Sequence, residues 1–184
     1  MQFFRKHLTI PLFLLGMLWG IHLLNYSVGY SLSRYGLIPR QLDHLYGIVS
    51  SPFLHANFTH IISNSIPLFI LSLVCLAKGR TYFIANSLFI IIVGGSGVWL
   101  FARSANHIGA SGWIFGLWGL CVASAWFQRN LSSLVIATLV IGLYGGMIWG
   151  VLPTQPGVSF EGHMFGLLAG VLAARISRTS KVKA

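Results

Sequence analysis

The apolar stretch GASGWIFGLWGLCVASAW at residues 109–126 decides the fold class of this chain. It carries no charged residue, and its length approaches the roughly 20 apolar residues that a helix needs to cross a bilayer. Similar stretches recur along the 184 residues, of which 55% are hydrophobic and 8% charged, and the mean hydropathy is +0.78. Soluble domains carry about 25% charged residues, so this composition excludes a water-soluble globular domain and predicts a membrane protein.

Six membrane-spanning helices are predicted around this stretch. They run over about 8–28, 59–77, 82–102, 111–127, 131–152 and 161–177. Their short connections predict a single domain over 1–184 with an all-α, six-helix bundle. The longest connection, about 29–58, mixes charged residues with Leu, Tyr, Ile and Phe, which favours an ordered loop at the membrane surface. Arg5 and Lys6 resemble the start of a signal peptide, but the long apolar stretch after them predicts a retained first span.

The basic residues predict the orientation of the chain. With a cytoplasmic N-terminus, the inner residues are Arg5, Lys6, Lys78, Arg80, Arg129, Arg175, Arg178, Lys181 and Lys183, and the outer ones are Arg34, Arg40 and Arg103. This excess inside agrees with the positive-inside rule, so both termini are predicted to be cytoplasmic. Both acidic residues, Asp43 and Glu161, then lie outside. Because the basic residues are spread between apolar runs, nucleic acid is not expected as a partner.

Four polar residues fall at one depth of the predicted bundle. His60 and Asn64 on span two, Ser111 on span four and His163 on span six lie near the outer ends of spans that all run inward. His60 and Asn64 are four residues apart and share one helix face. One interpretation is that these side chains only form hydrogen bonds between helices, as polar residues in membranes commonly do. Their common depth favours a second interpretation, a site near the outer leaflet.

Glycines at four-residue spacing predict close packing of spans four and six. They are Gly112 and Gly116 on span four, and Gly162, Gly166 and Gly170 on span six. Such strips let helix backbones approach closely, which would bring Ser111 within hydrogen-bond reach of His163. Simple helix packing explains the same strips, and the two interpretations are compatible.

A serine beside a histidine is the minimum set for an activated nucleophile. The imidazole of His163 would take the proton of the Ser111 hydroxyl as its oxygen attacks a carbonyl carbon, and would return it to the leaving amine. His60, Asn64 and the backbone N–H of Ser111 are donors of the kind that stabilises the resulting oxyanion. Because the predicted topology places both carboxylates outside, a Ser-His dyad is expected rather than a triad.

Three motifs resemble the signatures of rhomboid intramembrane serine proteases. GASGWIFG at 109–116 is similar to the GxSG signature that opens the family's fourth helix, and LHANFTHIISN at 54–64 is similar to the start of its second helix, with an HxxxN pair. GHMFGLLAG at 162–170 is similar to its sixth helix. The resemblance covers essentially the whole chain. It implies a minimal, six-helix, prokaryotic-type member, a multi-pass protein of the bacterial inner membrane.

The resemblance also implies a role for each matching residue. Ser111 would be the nucleophile, His163 the general base, and His60 with Asn64 the oxyanion donors, without a cofactor or metal. Phe115 lies where the family places an aromatic ring beneath the base. The implied activity is that of an endopeptidase that cleaves the transmembrane segments of single-span proteins near the outer face.

Some positions lie outside this pattern. The first loop lacks a Trp-Arg pair that many members carry, and Lys78 lies where a glutamate is frequent.

His55 matches a family histidine that holds the first loop. The expectations for the remaining residues are interfacial or solvated side chains for His7, His44 and His107, a packing contact for His22, and buried free thiols for Cys75 and Cys121.

Two other functions stay open at this point. A catalytically silent rhomboid-like protein would bind or escort membrane clients, although such relatives lack the serine or the histidine that this chain keeps. A small transporter would need polar groups along a path through the membrane, whereas here they gather on one side.

Overall fold

The structure, a computed structural model, describes residues 2–154 and 157–179 and is built almost entirely of helices. Six long helices follow one another: α1 (Gln2–Ser27), α2 (Phe58–Leu76), α3 (Arg80–Phe101), α4 (Ser111–Gln128), α5 (Leu131–Tyr144) and α6 (Phe160–Thr179). α5 continues as a 3-10 helix over Gly145–Val151. Lys181 and Lys183, which contribute to the predicted orientation, lie outside the described residues.

A helix occupies each predicted span. The largest differences are at α1, which begins six residues earlier than the predicted start at 8, and at the fifth span, which changes to 3-10 geometry where Gly145 and Gly146 weaken the α-helix. Among the described residues, four segments are long and apolar enough to cross a membrane: His7–Ser27, Phe58–Leu76, Arg80–Phe101 and Leu131–Val151. α4 and α6 are long helices too, but they are not among these four segments, so length and hydropathy support four of the six predicted spans.

α4 is the central helix of the bundle, and every residue from 113 to 121 is buried. It packs against α6 with the two backbones almost in contact. A methyl group added to Gly112 would lie 3.1 Å from the carbonyl oxygen of Gly162, and one added to Gly116 would lie 3.0 Å from that of Gly166. The predicted packing of the two glycine strips is therefore confirmed. It brings the first turns of α4 and α6 together at one end of the bundle.

The loop predicted over 29–58 is ordered and lies at this same end. It contains three 3-10 turns and a four-residue α-helix, Gly47–Ser50. The backbone of Leu37 pairs in both directions with that of His107, at N···O distances of 3.0 and 2.9 Å. The Arg40 guanidinium donates to the carbonyl of Ala102, just after α3, at 2.7 Å. These bonds tie the loop to the segment that leads into α4.

Candidate active site

Ser111 and His163 are in direct contact. Ser111 is the first residue of α4 and His163 lies in the first turn of α6. The Ser111 Oγ is 2.9 Å from Nε2 of His163. Gly109, two residues earlier, has a φ of +121°, which glycine adopts without strain. A side chain at this position would also collide with the His60 ring.

The imidazole of His163 is held on two sides. Its Nδ1 lies 2.8 Å from the carbonyl oxygen of Gly150, in the 3-10 continuation of α5. Because a carbonyl only accepts, Nδ1 carries the proton, and Nε2 is left to accept a hydrogen bond from the Ser111 hydroxyl. The Phe115 ring stacks on the imidazole, with centroids 4.1 Å apart and planes 4° apart. The histidine is thus presented to Ser111 in the tautomer that a general base requires.

Among the residues that the structure describes, no carboxylate takes part in this arrangement. Glu161, two residues before His163, is buried, but its Oε1 lies 3.6 Å from Nε of Arg103. Both nitrogens of His163 are occupied by other groups, the Gly150 carbonyl and the Ser111 hydroxyl. The geometry is that of a serine-histidine pair, in which a backbone carbonyl lies where a triad has its carboxylate.

His60 and Asn64 face the same cavity as this pair. The cavity, of about 750 Å³, is lined by all four side chains and by apolar groups that include Pro67, Ile114 and Met147. Nδ2 of Asn64 is buried and makes no hydrogen bond to any described residue. Buried donors are normally satisfied, so this amide is available to a group that enters the cavity.

The residues before α2 place His60 beside the start of α4. Asn57 caps the helix, since its side-chain oxygen accepts a hydrogen bond from the His60 backbone N–H at 2.8 Å. His55 is fully buried, and its Nε2 accepts from the N–H of Ala110 at 3.4 Å. Burial, followed by the neighbouring His60 and His22, lowers the pKa of His55 to about 3. His55 is therefore a neutral acceptor that joins the loop before α2 to the residue before Ser111.

His107 is buried, so the expectation of an interfacial or solvated side chain is wrong. Its exposed fraction is 6%, its Nδ1 lies 2.6 Å from the Ser159 Oγ, and its Nε2 lies 3.1 Å from the carbonyl oxygen of Arg103. Burial lowers the pKa of His107. The backbone pairing with Leu37 holds the residue beside the start of α6, a long-range contact that leaves no local sequence signal.

Other expectations for single residues are confirmed. His22 is fully buried with its ring 4.7 Å from that of Phe58. Cys75 and Cys121 are buried free thiols whose Sγ atoms lie 3.7 Å apart.

The region that resembles known proteins includes α2, α4 and α6, the three helices that carry the cavity residues. The family model of the rhomboid domain matches residues 42–180, which contain all four residues of the cavity and their helices. The chain belongs to the rhomboid family. With its long apolar helices, this rhomboid is a multi-pass integral membrane protein.

Similar proteins occur in several bacteria. An uncharacterised protein of Mycobacterium tuberculosis is 34% identical over 96% of this rhomboid and 77% of its own length. An uncharacterised protein of Mycobacterium leprae is 34% identical over 87% of this chain and 67% of its own. The Bacillus subtilis protein YdcA, whose name describes a candidate rhomboid protease, is 26% identical over 68% of this chain and 63% of its own.

Proposed function

We propose that this rhomboid is an intramembrane serine endopeptidase. Ser111 attacks a peptide carbonyl while His163 takes the hydroxyl proton, and the intermediate collapses to an acyl-enzyme as His163 protonates the leaving amine. Water then hydrolyses the ester by the same route. The observation that carries this proposal is the 2.9 Å contact between the Ser111 Oγ and Nε2 of His163, together with the Nδ1 contact that sets the tautomer.

His60 and Asn64 stabilise the oxyanion in this proposal. The unpaired Nδ2 of Asn64 and the position of His60 in the same cavity support the assignment. The backbone N–H of Ser111 adds a third donor, because the first N–H groups of a helix have no intrahelical partner. The N-terminus of α4 also presents its positive partial charge to the developing negative oxygen.

The proposed topology is one domain with six spans, both termini in the cytoplasm of a bacterium and the site near the outer face of its inner membrane. The excess of basic residues on the inner side supports it. The substrates would be single-span membrane proteins whose helix unwinds locally, since the carbonyl groups of an intact helix are hydrogen-bonded and shielded from attack. The cavity beside the pair offers room for an unwound segment and for water.

The test is cleavage of a model single-span substrate by the purified protein in liposomes, together with labelling by a fluorophosphonate. We expect Ser111→Ala and His163→Ala to lose cleavage by about 1,000-fold or more. Ser27→Ala, at the end of α1, is the matched control and should retain the native rate. Melting temperatures would show that the variants are folded.

Two results would contradict the proposal. Persistent cleavage by Ser111→Ala would reject Ser111 as the nucleophile. A native chain that neither cleaves several substrates nor reacts with the fluorophosphonate would favour the catalytically silent, client-binding function.

A further inference from the structure

A second serine-histidine pair joins the same two helix starts, with the residue types exchanged. His107 precedes Ser111 by four residues, and Ser159 precedes His163 by four residues. The His107 Nδ1 and the Ser159 Oγ are 2.6 Å apart, which is shorter than the 2.9 Å contact between Ser111 and His163. The starts of α4 and α6 are therefore linked twice.

The surroundings assign a direction to each hydrogen bond of this second pair. The Nε2 of His107 faces the Arg103 carbonyl oxygen at 3.1 Å, so Nε2 carries the proton and Nδ1 is an acceptor. The Ser159 hydroxyl then donates to Nδ1. Its oxygen also accepts from the backbone N–H of Gly162 at 3.1 Å, as the N-cap residue of a helix does. Each partner can be satisfied at once with a neutral His107.

His107 and Ser159 each lie close in the chain to one residue of the proposed dyad, and each is held in place by backbone hydrogen bonds. His107 is fixed by two backbone hydrogen bonds to Leu37, and it lies in the short segment that ends at Ser111. Ser159 caps the turn of α6 that contains His163. The contact between them therefore connects the support of Ser111 to the support of His163.

We propose that His107 and Ser159 are positioning residues that hold Ser111 and His163 at reacting distance. This inference rests on the proposed endopeptidase function. Loss of the contact would remove one of the links between the first turn of α6 and the segment that ends at Ser111, beside the close approach of Gly112 to Gly162. A displacement of about 1 Å at a reacting pair can cost on the order of 100-fold in rate.

Two isosteric substitutions separate the two hydrogen bonds of His107. The amide of Asn reaches the position of Nδ1, so His107→Asn keeps an acceptor for Ser159. The amide of Gln reaches the position of Nε2, so His107→Gln keeps the donor to the Arg103 carbonyl and loses the contact to Ser159. Ser159→Ala and Ser159→Thr make the same comparison from the other side, because Thr retains the capping hydroxyl.

We expect His107→Gln and Ser159→Ala to lower kcat on a model single-span substrate by about 10-fold with little change in KM. The rate of fluorophosphonate labelling of Ser111 should fall in parallel. His107→Asn and Ser159→Thr should restore most of both rates. The double variant His107→Gln/Ser159→Ala should be no slower than the slower single variant, since each substitution removes the same contact between residues 107 and 159. His44→Gln, in the first loop, is the matched histidine control and should leave kcat unchanged.

Several outcomes would overturn the inference. Native kcat in both His107→Gln and Ser159→Ala would show that the contact does not position the dyad. Equal loss in the Asn and Gln variants, with a lowered melting temperature in each, would indicate a structural role alone. Fluorophosphonate labelling of Ser159 in the Ser111→Ala variant would make Ser159 a nucleophile instead. If the native chain itself neither labels nor cleaves, it is the proposed function that fails, whereas native activity with unaffected variants rejects only the positioning role.

Discussion

At the scale of single residues, the orientation of His163 depends on a backbone carbonyl and an aromatic ring. The Gly150 carbonyl and the Phe115 face together fix the position and the tautomer of the imidazole. A carboxylate in this position would have to be desolvated inside an apolar bundle, which is costly for an ionised group. The uncharged carbonyl fulfils the same orienting role without that cost.

Gly150 should be intolerant of a side chain. A methyl group there would lie 2.7 Å from Cζ of Phe115 and 3.2 Å from Nδ1 of His163, so it would displace the ring, the imidazole or the carbonyl. We expect Gly150→Ala to lower kcat by about 10-fold to 100-fold. Gly146→Ala is the control in the same 3-10 helix, because nothing lies within 4 Å of its added methyl group. Equal rates in the two variants would argue against a fixed contact at Gly150.

His55 should make the stability of the folded protein depend on pH. Its pKa is lowered from 6.5 to about 3, so between these values the unfolded chain binds the proton more readily than the folded one. The free energy of unfolding should therefore decrease as the pH falls below 6.5, by at most about 1.4 kcal/mol per pH unit from this residue. The free energy of unfolding, measured by denaturation at pH 7 and at pH 5, should change less between the two pH values in His55→Gln than in the native chain. A difference as large as that of the native chain would contradict the assignment, and His44→Gln is the control.

At the scale of helices, the contact between α4 and α6 brings the proposed dyad together. Gly112 and Gly116 on α4 meet Gly162, Gly166 and Gly170 on α6, so the two backbones touch where side chains would separate them. Close approach replaces the hydrophobic effect as the source of helix association, because lipid tails are as apolar as the helix surfaces. The packing of α4 against α6 therefore also sets the distance between Ser111 and His163.

Gly166→Ala should disturb both the packing of α4 against α6 and the proposed dyad. The added methyl group would fall on the carbonyl oxygen of Gly112 and push the helices apart. We expect a loss of about 1–3 kcal/mol in the free energy of unfolding, measured by denaturation in detergent, and a loss of fluorophosphonate labelling. Gly142→Ala, on α5 with nothing within 4 Å, should leave labelling unchanged and gain about 0.5–1 kcal/mol from helix propensity. Normal labelling and stability in Gly166→Ala would contradict the close contact.

At the scale of the whole molecule, the polar groups of the site gather at one end. α2 continues from Asn64 through the buried Leu68 and Leu71, and α4 continues from Ser111 through the buried Leu117. Buried apolar residues therefore follow the site along both helices. A transporter is expected to have polar groups along a path through the membrane, whereas the four polar residues of this cavity lie at one end of their helices.

The proposed topology can be tested with single cysteines in intact cells. Both native cysteines are buried, whereas Ser104 and Ser132 are exposed at opposite ends of the bundle. We expect a membrane-impermeant maleimide to label Ser104→Cys in intact cells and to label Ser132→Cys only after the inner membrane is permeabilised. The reverse pattern would place the site on the cytoplasmic side and would contradict the predicted orientation.

The sequence by itself determined the membrane class, the positions of the helices and the four polar residues of the cavity. These properties follow from apolar length and residue spacing, which are local. The glycine strips predicted that α4 and α6 pack closely, which would bring Ser111 within reach of His163, but only the folded structure shows the two side chains in contact. Only the tertiary structure showed the contacts of Gly150, His107 and Ser159. A backbone carbonyl has no residue signature, and the His107 to Ser159 contact joins two positions 52 residues apart in the chain, which no local pattern relates to each other. The physical reason is that such hydrogen bonds depend on where the folded chain brings distant groups together, rather than on the composition of any one segment.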